Sequence, residues 1–153
     1  MSQPALTVRV LNAAEAAVLD HVAPEVFDGP PDPRWTAEFF ADPRHHLAVA
    51  LDGETVVGMA GGFRYVYPDK PPELFVNEVA VSPAYQGQGL GHRLMDALTT
   101  HARSLGCVAA WVLTEADNTA ARRLYRASGG LEERCQIFVI PLEQAEAGLL
   151  PPS

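Results

Sequence analysis

Residues 77–93 carry the most specific pattern in the chain and read Asn77-Glu78-Val79-Ala80-Val81-Ser82-Pro83-Ala84-Tyr85-Gln86-Gly87-Gln88-Gly89-Leu90-Gly91-His92-Arg93. A valine-rich segment ends at a Ser-Pro pair, a glycine-rich turn follows, and apolar residues then recur at helical spacing. The pattern predicts a strand, a turn and a helix. The first N–H groups of a helix lack intrahelical partners and lie at the positive end of its dipole, so this turn is a candidate site for a pyrophosphate.

Two common phosphate-binding motifs do not fit this turn. A dinucleotide fingerprint that begins at Gly87 requires a third glycine where the chain has His92, and a P-loop requires Gly-Lys-Ser/Thr, which the sequence lacks. A glycine turn with a purely structural role therefore stays open as an alternative at this point.

The segments before the turn predict antiparallel strands. His46–Leu51 and Thr55–Tyr67 flank Asp52-Gly53, which is a strong hairpin signal, and Leu74–Val81 is a third strand after a loop at Pro68–Pro72. Nearer the N-terminus, we predict a strand at residues 6–11, a helix at residues 13–26, and a short helix that begins at residues 32–33.

The segments after the turn alternate helix and strand. Residues 90–105 form the predicted helix, Gly106 ends it, and Cys107–Leu113 is an apolar run typical of a strand buried on both faces. Asn118 is a preferred N-cap for a further helix, and Leu131–Leu142 is the last predicted strand, followed by a loose tail at residues 143–153. We expect one α/β domain over residues 1–153, with a mixed central sheet flanked by helices.

Composition limits the classes of partner. The 153 residues carry a net charge of −8, and Lys70 is the one lysine. We therefore expect no nucleic-acid partner, because binding to a phosphate backbone needs a basic face. A negatively charged cleft would instead attract small cationic molecules. The sequence shows neither a secretion-signal pattern nor an apolar run of about 20 residues, and we expect a soluble cytoplasmic protein without a membrane partner. Cys107 and Cys135 are expected to be buried and reduced, and the histidines lack a metal-ligand spacing, so no metal site is expected.

Gln86, Gly89 and Gly91 match the Gln/Arg-x-x-Gly-x-Gly/Ala turn of the GNAT superfamily of acetyl-CoA-dependent N-acetyltransferases. The run Asn118-x-x-Ala121-x-x-x-Tyr125-x-x-x-Gly129 is similar to the last helix of that superfamily. The resemblance implies a GNAT fold in which the cofactor strand separates from the next strand, and it implies acetyl-CoA as co-substrate.

The resemblance also implies how the co-substrate is held. Backbone amides hold its pyrophosphate at Gln86, Gly87, Gln88, Gly89, Leu90 and Gly91. The edge of the strand at Val79, Ala80 and Val81 pairs with pantetheine, and the thioester enters a gap between Val79–Val81 and Trp111–Leu113. Asn118 is a further candidate contact, although the capping role alone explains an asparagine there.

Amide formation requires a neutral amine, stabilisation of an oxyanion and a proton for the departing thiolate. The resemblance implies that Glu78 is the base, acting directly or through water, and the alternative is a glutamate that merely faces solvent. The resemblance likewise implies that Tyr125 is the acid, and its alternative is a core aromatic. A backbone N–H near Val79 is the candidate oxyanion donor.

The acceptor is predicted from a narrower resemblance to the aminoglycoside 3-N-acetyltransferases, carried by residues 75–82, by 121–133 and by Gln136–Pro141. A cationic acceptor calls for acidic side chains, and the loop acids offered for this role are Asp28, Asp32, Asp69, Glu115 and Asp117. The alternatives are another amine, namely a peptide N-terminus, a lysine or a polyamine, and a non-catalytic acetyl-CoA-binding module. Because Leu131–Leu142 is short for two strands, either one strand suffices or a partner subunit completes the sheet.

Overall fold

A computed structural model describes residues 5–143. Its strands form one sheet in their order along the chain: β1 (Leu6–Val10), β2 (His45–Asp52), β3 (Thr55–Tyr67), β4 (Lys70–Val81) and β5 (Ala110–Val112). The first four strands are antiparallel to their neighbours, and β5 runs parallel to β4. The predicted mixed sheet is confirmed.

Three helices lie against this sheet: α1 (Pro33–Ala41), α2 (Leu90–Ser104) and α3 (Thr119–Ala127). Two short 3-10 turns are at Ala16–Asp20 and Pro83–Tyr85. One core cluster packs Leu74 and Val76 of β4 against Leu94 and Leu98 of α2. A second cluster on the opposite face of the sheet includes Met59 and the phenylalanines of α1.

The predicted hairpin between β2 and β3 is confirmed. Asp52 pairs with Thr55, and Gly53 has a φ of +60°, the left-handed conformation that glycine adopts most readily. The next connection is tighter than predicted, because Tyr67 already pairs with Lys70 and the expected loop at Pro68–Pro72 shrinks to a turn.

The predicted helix at residues 13–26 is wrong. The structure has only the 3-10 turn Ala16–Asp20 there, and the chain then runs alongside β3. Val56 donates its N–H to the His21 carbonyl and accepts from the Ala23 N–H, both at 2.8 Å. These tertiary hydrogen bonds outweigh the helix propensity of an alanine-rich segment.

Two predictions about the far edge of the sheet are also wrong. The run Cys107–Leu113 contains a strand of only three residues, and its Trp111 is 43% exposed because no strand covers the outer side of β5 within residues 5–143. Leu131–Leu142 is not a strand, since the chain after Gly130 forms no ladder with β5. The predicted tail at residues 143–153 lies, apart from Glu143, outside the described residues.

Candidate active site

A β-bulge at Asn77 determines where the candidate base points. Gly62 pairs with Val76 and Gly61 pairs with Glu78, so Asn77 is an extra residue on β4. A side chain at position 62 would lie 2.5 Å from the Phe75 carbonyl oxygen, which explains the glycine there.

The bulge changes which residues of β4 face α2. Leu74 and Val76 face α2 before the bulge, whereas Val79 and Val81 face it afterwards. Because side chains alternate along a strand, Glu78 lies on the opposite face, together with Ala80.

The gap that the resemblance implies is present between β4 and β5. The two strands pair only from Leu74 with Ala110 to Val76 with Val112. Beyond that point, β4 has no strand partner on its β5 side in the described part of the chain. The gap therefore opens after Val112, whereas the sequence prediction also placed Trp111 beside it.

The glycine turn leaves the N-terminus of α2 open. Gly87 and Gly89 have φ values of +78° and +77°, and no heavy atom lies within 4 Å of the position a Cβ would take at either one. Gly89 is the N-cap and has no side chain that could cap the helix. The first N–H bonded back to this cap belongs to Arg93, which donates to the Gly89 carbonyl at 3.1 Å.

The N–H groups of Leu90, Gly91 and His92 consequently have no intrahelical acceptor. Gln86 joins the turn to the strand, because its side-chain amide donates to the Val81 carbonyl at 3.0 Å. Free donors, a positive helix end and an open backbone at glycine fit a pyrophosphate. The residues present therefore suit the co-substrate that the sequence predicts.

Gly91 has a second function in the fold. A Cβ at this position would lie 3.1 Å from Leu124 of α3. The absence of a side chain lets α2 and α3 approach at their N-terminal turns, so Gly91 is explained by helix packing as well as by ligand access.

Glu78 lies beside an acidic side chain that comes from a distant part of the sequence. Its carboxyl reaches solvent, yet partial burial raises its pKa above the usual value and the nearby charge of Asp28 raises it further. The Ser82 hydroxyl donates to the Pro24 carbonyl at 2.8 Å, which attaches the segment before Asp28 to the end of β4. A base with a raised pKa is better matched to proton transfer near neutral pH.

Tyr125 packs into the core cluster under α2, on the other side of the sheet from Glu78. Burial raises the pKa of its phenol, so the hydroxyl stays protonated at neutral pH and keeps a proton to donate. The two candidate groups thus lie on opposite faces of a sheet whose strands separate between them.

Tyr125 also lines a cavity of about 230 Å³ beneath β5, together with Val76, Met95, Ala102 and Val112. This cavity extends toward the C-terminal half of α2, away from the glycine turn. It is therefore distinct from the predicted phosphate site.

Asn118 caps α3 as predicted, because its Oδ1 accepts from the Ala121 N–H at 3.0 Å. This contact satisfies one of the free donors at the start of α3. Its predicted contact with the co-substrate stays a prediction.

The five candidate acceptor acids do not lie together. Asp28 is close enough to Glu78 to affect its pKa. Asp32 caps α1 by accepting from the Arg34 N–H at 2.8 Å. Asp69 lies at the turn before β4, roughly 25–30 Å along the strand from Glu78. Glu115 and Asp117 are exposed in the loop between β5 and α3, at the end of the sheet where the gap opens.

Sequence analysis missed a row of aromatic rings on the face that carries Glu78. Phe75 contacts Trp111 with ring centroids 4.3 Å apart and Phe63 with centroids 5.6 Å apart, and Tyr65 accepts a hydrogen bond from the Trp111 indole. The alternation of Phe63 and Tyr65 along the third strand was the available signal. The cross-strand neighbours become clear only from the register.

The two cysteines differ from each other. Cys107 is partly buried, and this burial raises the pKa of its thiol. Cys135 is exposed, so the prediction that both cysteines are buried is wrong for Cys135.

In the described ranges, no three His, Cys, Asp or Glu side chains cluster in a way that could hold a metal ion. None of the helices at residues 5–143 has the length and apolar character needed to cross a membrane.

Comparison with known proteins identifies the family. Residues 14–129 match the acetyltransferase (GNAT) family, and these residues contain the bulge, the gap and the glycine turn. The chain belongs to this family. It is an acetyl-CoA-dependent N-acetyltransferase with the GNAT fold.

The relatives of this acetyltransferase act on several amines. It is 38% identical over 128 residues to the N-alpha-acetyltransferase RimI of Mycobacterium tuberculosis. The aligned residues cover 81% of this chain and 77% of that protein. It is 40% identical to an L-2,4-diaminobutyric acid acetyltransferase of Streptomyces coelicolor, over 60% of this chain and 51% of the relative. The mycothiol acetyltransferase of Saccharopolyspora erythraea is 36% identical, but only 28% of its length is matched.

Among solved structures, AAC(6')-Iy in complex with a bisubstrate analogue has a TM-score of 0.74 and 20% identity, covering 90% of this chain and 98% of that one. This likeness supports the fold. The sequence-based prediction of closeness to the 3-N enzymes has no support among these relatives.

Proposed function

We propose that this acetyltransferase modifies the α-amino group at a peptide or protein N-terminus. The observation that carries the proposal is the 38% identity to an N-alpha-acetyltransferase over most of both chains. The solved aminoglycoside enzymes share about half that identity with this chain, at 20%.

The distribution of acids also favours a peptide over a polycation. A polycationic antibiotic calls for several carboxylates around the reacting amine. Of the five candidates, only Asp28 influences Glu78, Asp32 is occupied as a helix cap, Asp69 lies at the far end of β4, and Glu115 and Asp117 are exposed in the loop after β5. A single carboxylate that acts on the candidate base, with a row of aromatic rings on the same face, suits a single α-amino group followed by a side chain.

In the proposed reaction, Glu78 accepts a proton from the substrate ammonium, directly or through one water. The neutral amine nitrogen then bonds to the acetyl carbonyl carbon and loses its second proton to solvent water, and the bond from that carbon to sulfur breaks. Tyr125 donates its phenolic proton to the departing thiolate. The acetyl thioester supplies the acyl group, and the free N–H groups of α2 hold its pyrophosphate.

An acceptor screen tests the proposal. Thiol release from acetyl-CoA is measured with peptides that have a free N-terminus and with the same peptides blocked at the N-terminus but carrying a lysine. We expect turnover of the free peptides only, with mass spectrometry locating the acetyl group on the first residue. Turnover of the blocked peptides, or of no peptide, would refute the N-terminal assignment.

An aminoglycoside is the second candidate acceptor, and the observation that favours it is the Asp28 carboxylate beside Glu78 in a chain of net charge −8. Sisomicin and 2,4-diaminobutyrate are therefore included in the same screen. A kcat/KM for sisomicin above that of every free peptide would favour the antibiotic. Turnover of 2,4-diaminobutyrate alone would instead place the enzyme with the small-metabolite acetyltransferases.

A further inference from the structure

Ser82 uses its hydroxyl for a contact that its place in the sequence does not require. It precedes the 3-10 turn Pro83–Tyr85, where a serine side chain is a preferred cap, but its hydroxyl does not cap that turn. The hydroxyl donates instead to the Pro24 carbonyl at 2.8 Å, across 58 residues of sequence. Among residues 5–143, Ser82 is the only polar residue that is buried, at 3% exposed.

Burial makes this hydrogen bond important to the local structure. A buried hydroxyl without a partner is costly, and a buried bond is shielded from competition with water. The Ser82 N–H also donates to the Val57 carbonyl at 2.8 Å. The main chain of Ser82 is therefore fixed to β3, while its side chain holds the segment that leads to Asp28.

The residue after Pro24 has a strained backbone. Glu25 has a φ of +65°, and it is the only residue other than glycine with a left-handed φ in the described part of the chain. A glutamate rarely adopts this conformation, because its Cβ approaches the following carbonyl oxygen. Glu25 itself is exposed, so its neighbours must hold the turn. Strain of this kind persists where surrounding contacts fix the conformation, and it is common at functional sites.

Contacts on both sides of Glu25 supply this restraint. Before it, the Ala23 N–H donates to the Val56 carbonyl at 2.8 Å, and Ser82 bonds to Pro24. After it, Val26 is completely buried in the second core cluster. Ala80 packs against the same cluster, on the face of β4 that carries Glu78. The strained turn therefore leads the chain onto this face two residues before Asp28.

We propose that Ser82 is a positioning residue of the acceptor site, whose hydrogen bond to Pro24 holds the strained turn at Glu25 and thereby keeps Asp28 beside Glu78. Val26 anchors the segment by burial, and Ser82 fixes the direction in which it crosses the end of β4. The inference rests on the proposed placement of the acceptor amine beside Glu78, and it does not depend on which amine is acetylated.

Hydrogen exchange tests the restraint itself. In Ser82→Ala, amide exchange followed by mass spectrometry should become faster across residues 22–28 and stay unchanged across α2. The matched control is Ser104→Ala, which removes a serine hydroxyl that donates to the His101 carbonyl at the other end of α2. It should leave exchange at residues 22–28 unchanged. Equal exchange in Ser82→Ala and the wild type would overturn the proposal, whatever the acceptor and whichever group is the base.

The pH profile tests the consequence for the site, with the amine that the acceptor screen turns over fastest. Asp28 is the one charged side chain within residues 5–143 that shifts the pKa of Glu78, and it raises this pKa. Ser82→Ala should therefore move the acid limb of kcat/KM to lower pH, as Asp28→Asn should. In the double variant, the limb should move no further than in Asp28→Asn alone.

A further shift caused by Ser82→Ala in the Asp28→Asn background, or no shift in Ser82→Ala, would contradict positioning through Asp28. An acid limb that persists in Glu78→Gln would instead refute the proposed base. Hydrogen exchange would still decide whether Ser82 restrains the segment, so the two failures are distinguishable.

Relief of the strain supplies a rescue experiment. Ser82→Ala should raise the acceptor KM about tenfold, as expected for loss of a buried hydrogen bond, while the acetyl-CoA KM stays the same. Glycine adopts a φ of +65° without steric cost, so the turn needs less restraint in Glu25→Gly. Glu25→Gly/Ser82→Ala should therefore recover part of the lost acceptor affinity. Equal losses for both substrates, or no recovery, would mean that Ser82 only stabilises the fold.

Discussion

The two parallel strands of the sheet each lead into a helix, and the two connections differ in how the helix N-terminus is satisfied. Between β4 and α2, glycine occupies the N-cap and the first N–H groups stay free. Between β5 and α3, the Asn118 side chain occupies that position and accepts from the Ala121 N–H. The same connection type therefore yields an open donor site in one case and a closed one in the other.

The difference shows which helix end is available to a ligand. A side-chain cap stabilises a helix and also fills the space in front of its N–H groups. The other long connection, into α1, is also closed, since Asp32 accepts from the Arg34 N–H. Only the α2 turn combines free donors with two glycines in the left-handed conformation among the described helices.

Substitution of Glu78, on the strand that leads into the open connection, should have the largest effect on catalysis. Glu78→Gln should lower kcat by about 10²–10⁴, because a positioned general base contributes a factor of that size, while acetyl-CoA affinity stays unchanged. The control Glu73→Gln makes the same change on the same strand, before the bulge, and should leave kcat intact.

The pH profile sharpens this prediction. The base acts when ionised, and its pKa is raised above 4.5, so activity should fall as the pH decreases through a value above 4.5. The acid limb should disappear in Glu78→Gln. If the acid limb persists in this variant, a group other than Glu78 causes it.

Substitution of Tyr125, on the helix that follows the closed connection, should have the second largest effect on kcat. Tyr125→Phe removes the phenolic proton and should lower kcat by about 10², with little change in stability because the ring is retained. Tyr67→Phe, an exposed tyrosine near the β3–β4 turn, is the control. Unchanged turnover would return Tyr125 to a purely packing role.

The open turn itself is tested by Gly89→Ala. The left-handed conformation costs an L-residue about 1–2 kcal/mol, so the free turn should relax to another conformation that must be reversed on binding, and CoA affinity should fall roughly tenfold in a calorimetric titration. Gly53→Ala places the same strain at the β2–β3 turn, where φ is +60° and no heavy atom is within 4 Å of a Cβ. It should lose similar stability and bind CoA normally. Equal CoA affinity in both variants would contradict the ligand role of the turn.

Loss of the Asn118 cap at the closed connection should have the smallest effect, and it should appear in stability. Asn118→Ala should lower the free energy of unfolding by about 1 kcal/mol, as loss of an N-cap does, and urea unfolding measures it. Asp32→Ala removes the cap of α1 and should cost about the same. A drop in CoA affinity confined to Asn118→Ala would add the predicted co-substrate contact to the capping role.

Local signals were sufficient for the elements whose geometry depends on their own residues. The Asp52-Gly53 turn, the Asp32 and Asn118 caps and the glycine turn each follow from backbone preferences within a few residues. They were predictable because φ preference and side-chain capping act over that range.

Longer-range features were not predictable in this way. Residues 13–26 have a helical composition but hydrogen-bond to Val56, which lies more than 30 residues away. The aromatic row depends on which residues of three strands are opposite each other. Asp28 and Glu78 are 50 residues apart, and no local pattern relates them.

The sequence by itself determined the family, the glycine turn at the start of α2 and the choice of Glu78 and Tyr125 as candidates. The turn follows from residue type and spacing within one segment, and the two candidates follow from the family resemblance that the motifs carry. The tertiary structure alone decided that the bulge at Asn77 turns Glu78 toward Asp28 and that the edge of β5 stays open. The physical reason is that strand register and exposed edges are properties of pairing between distant segments, and the spacing within any one segment does not specify them.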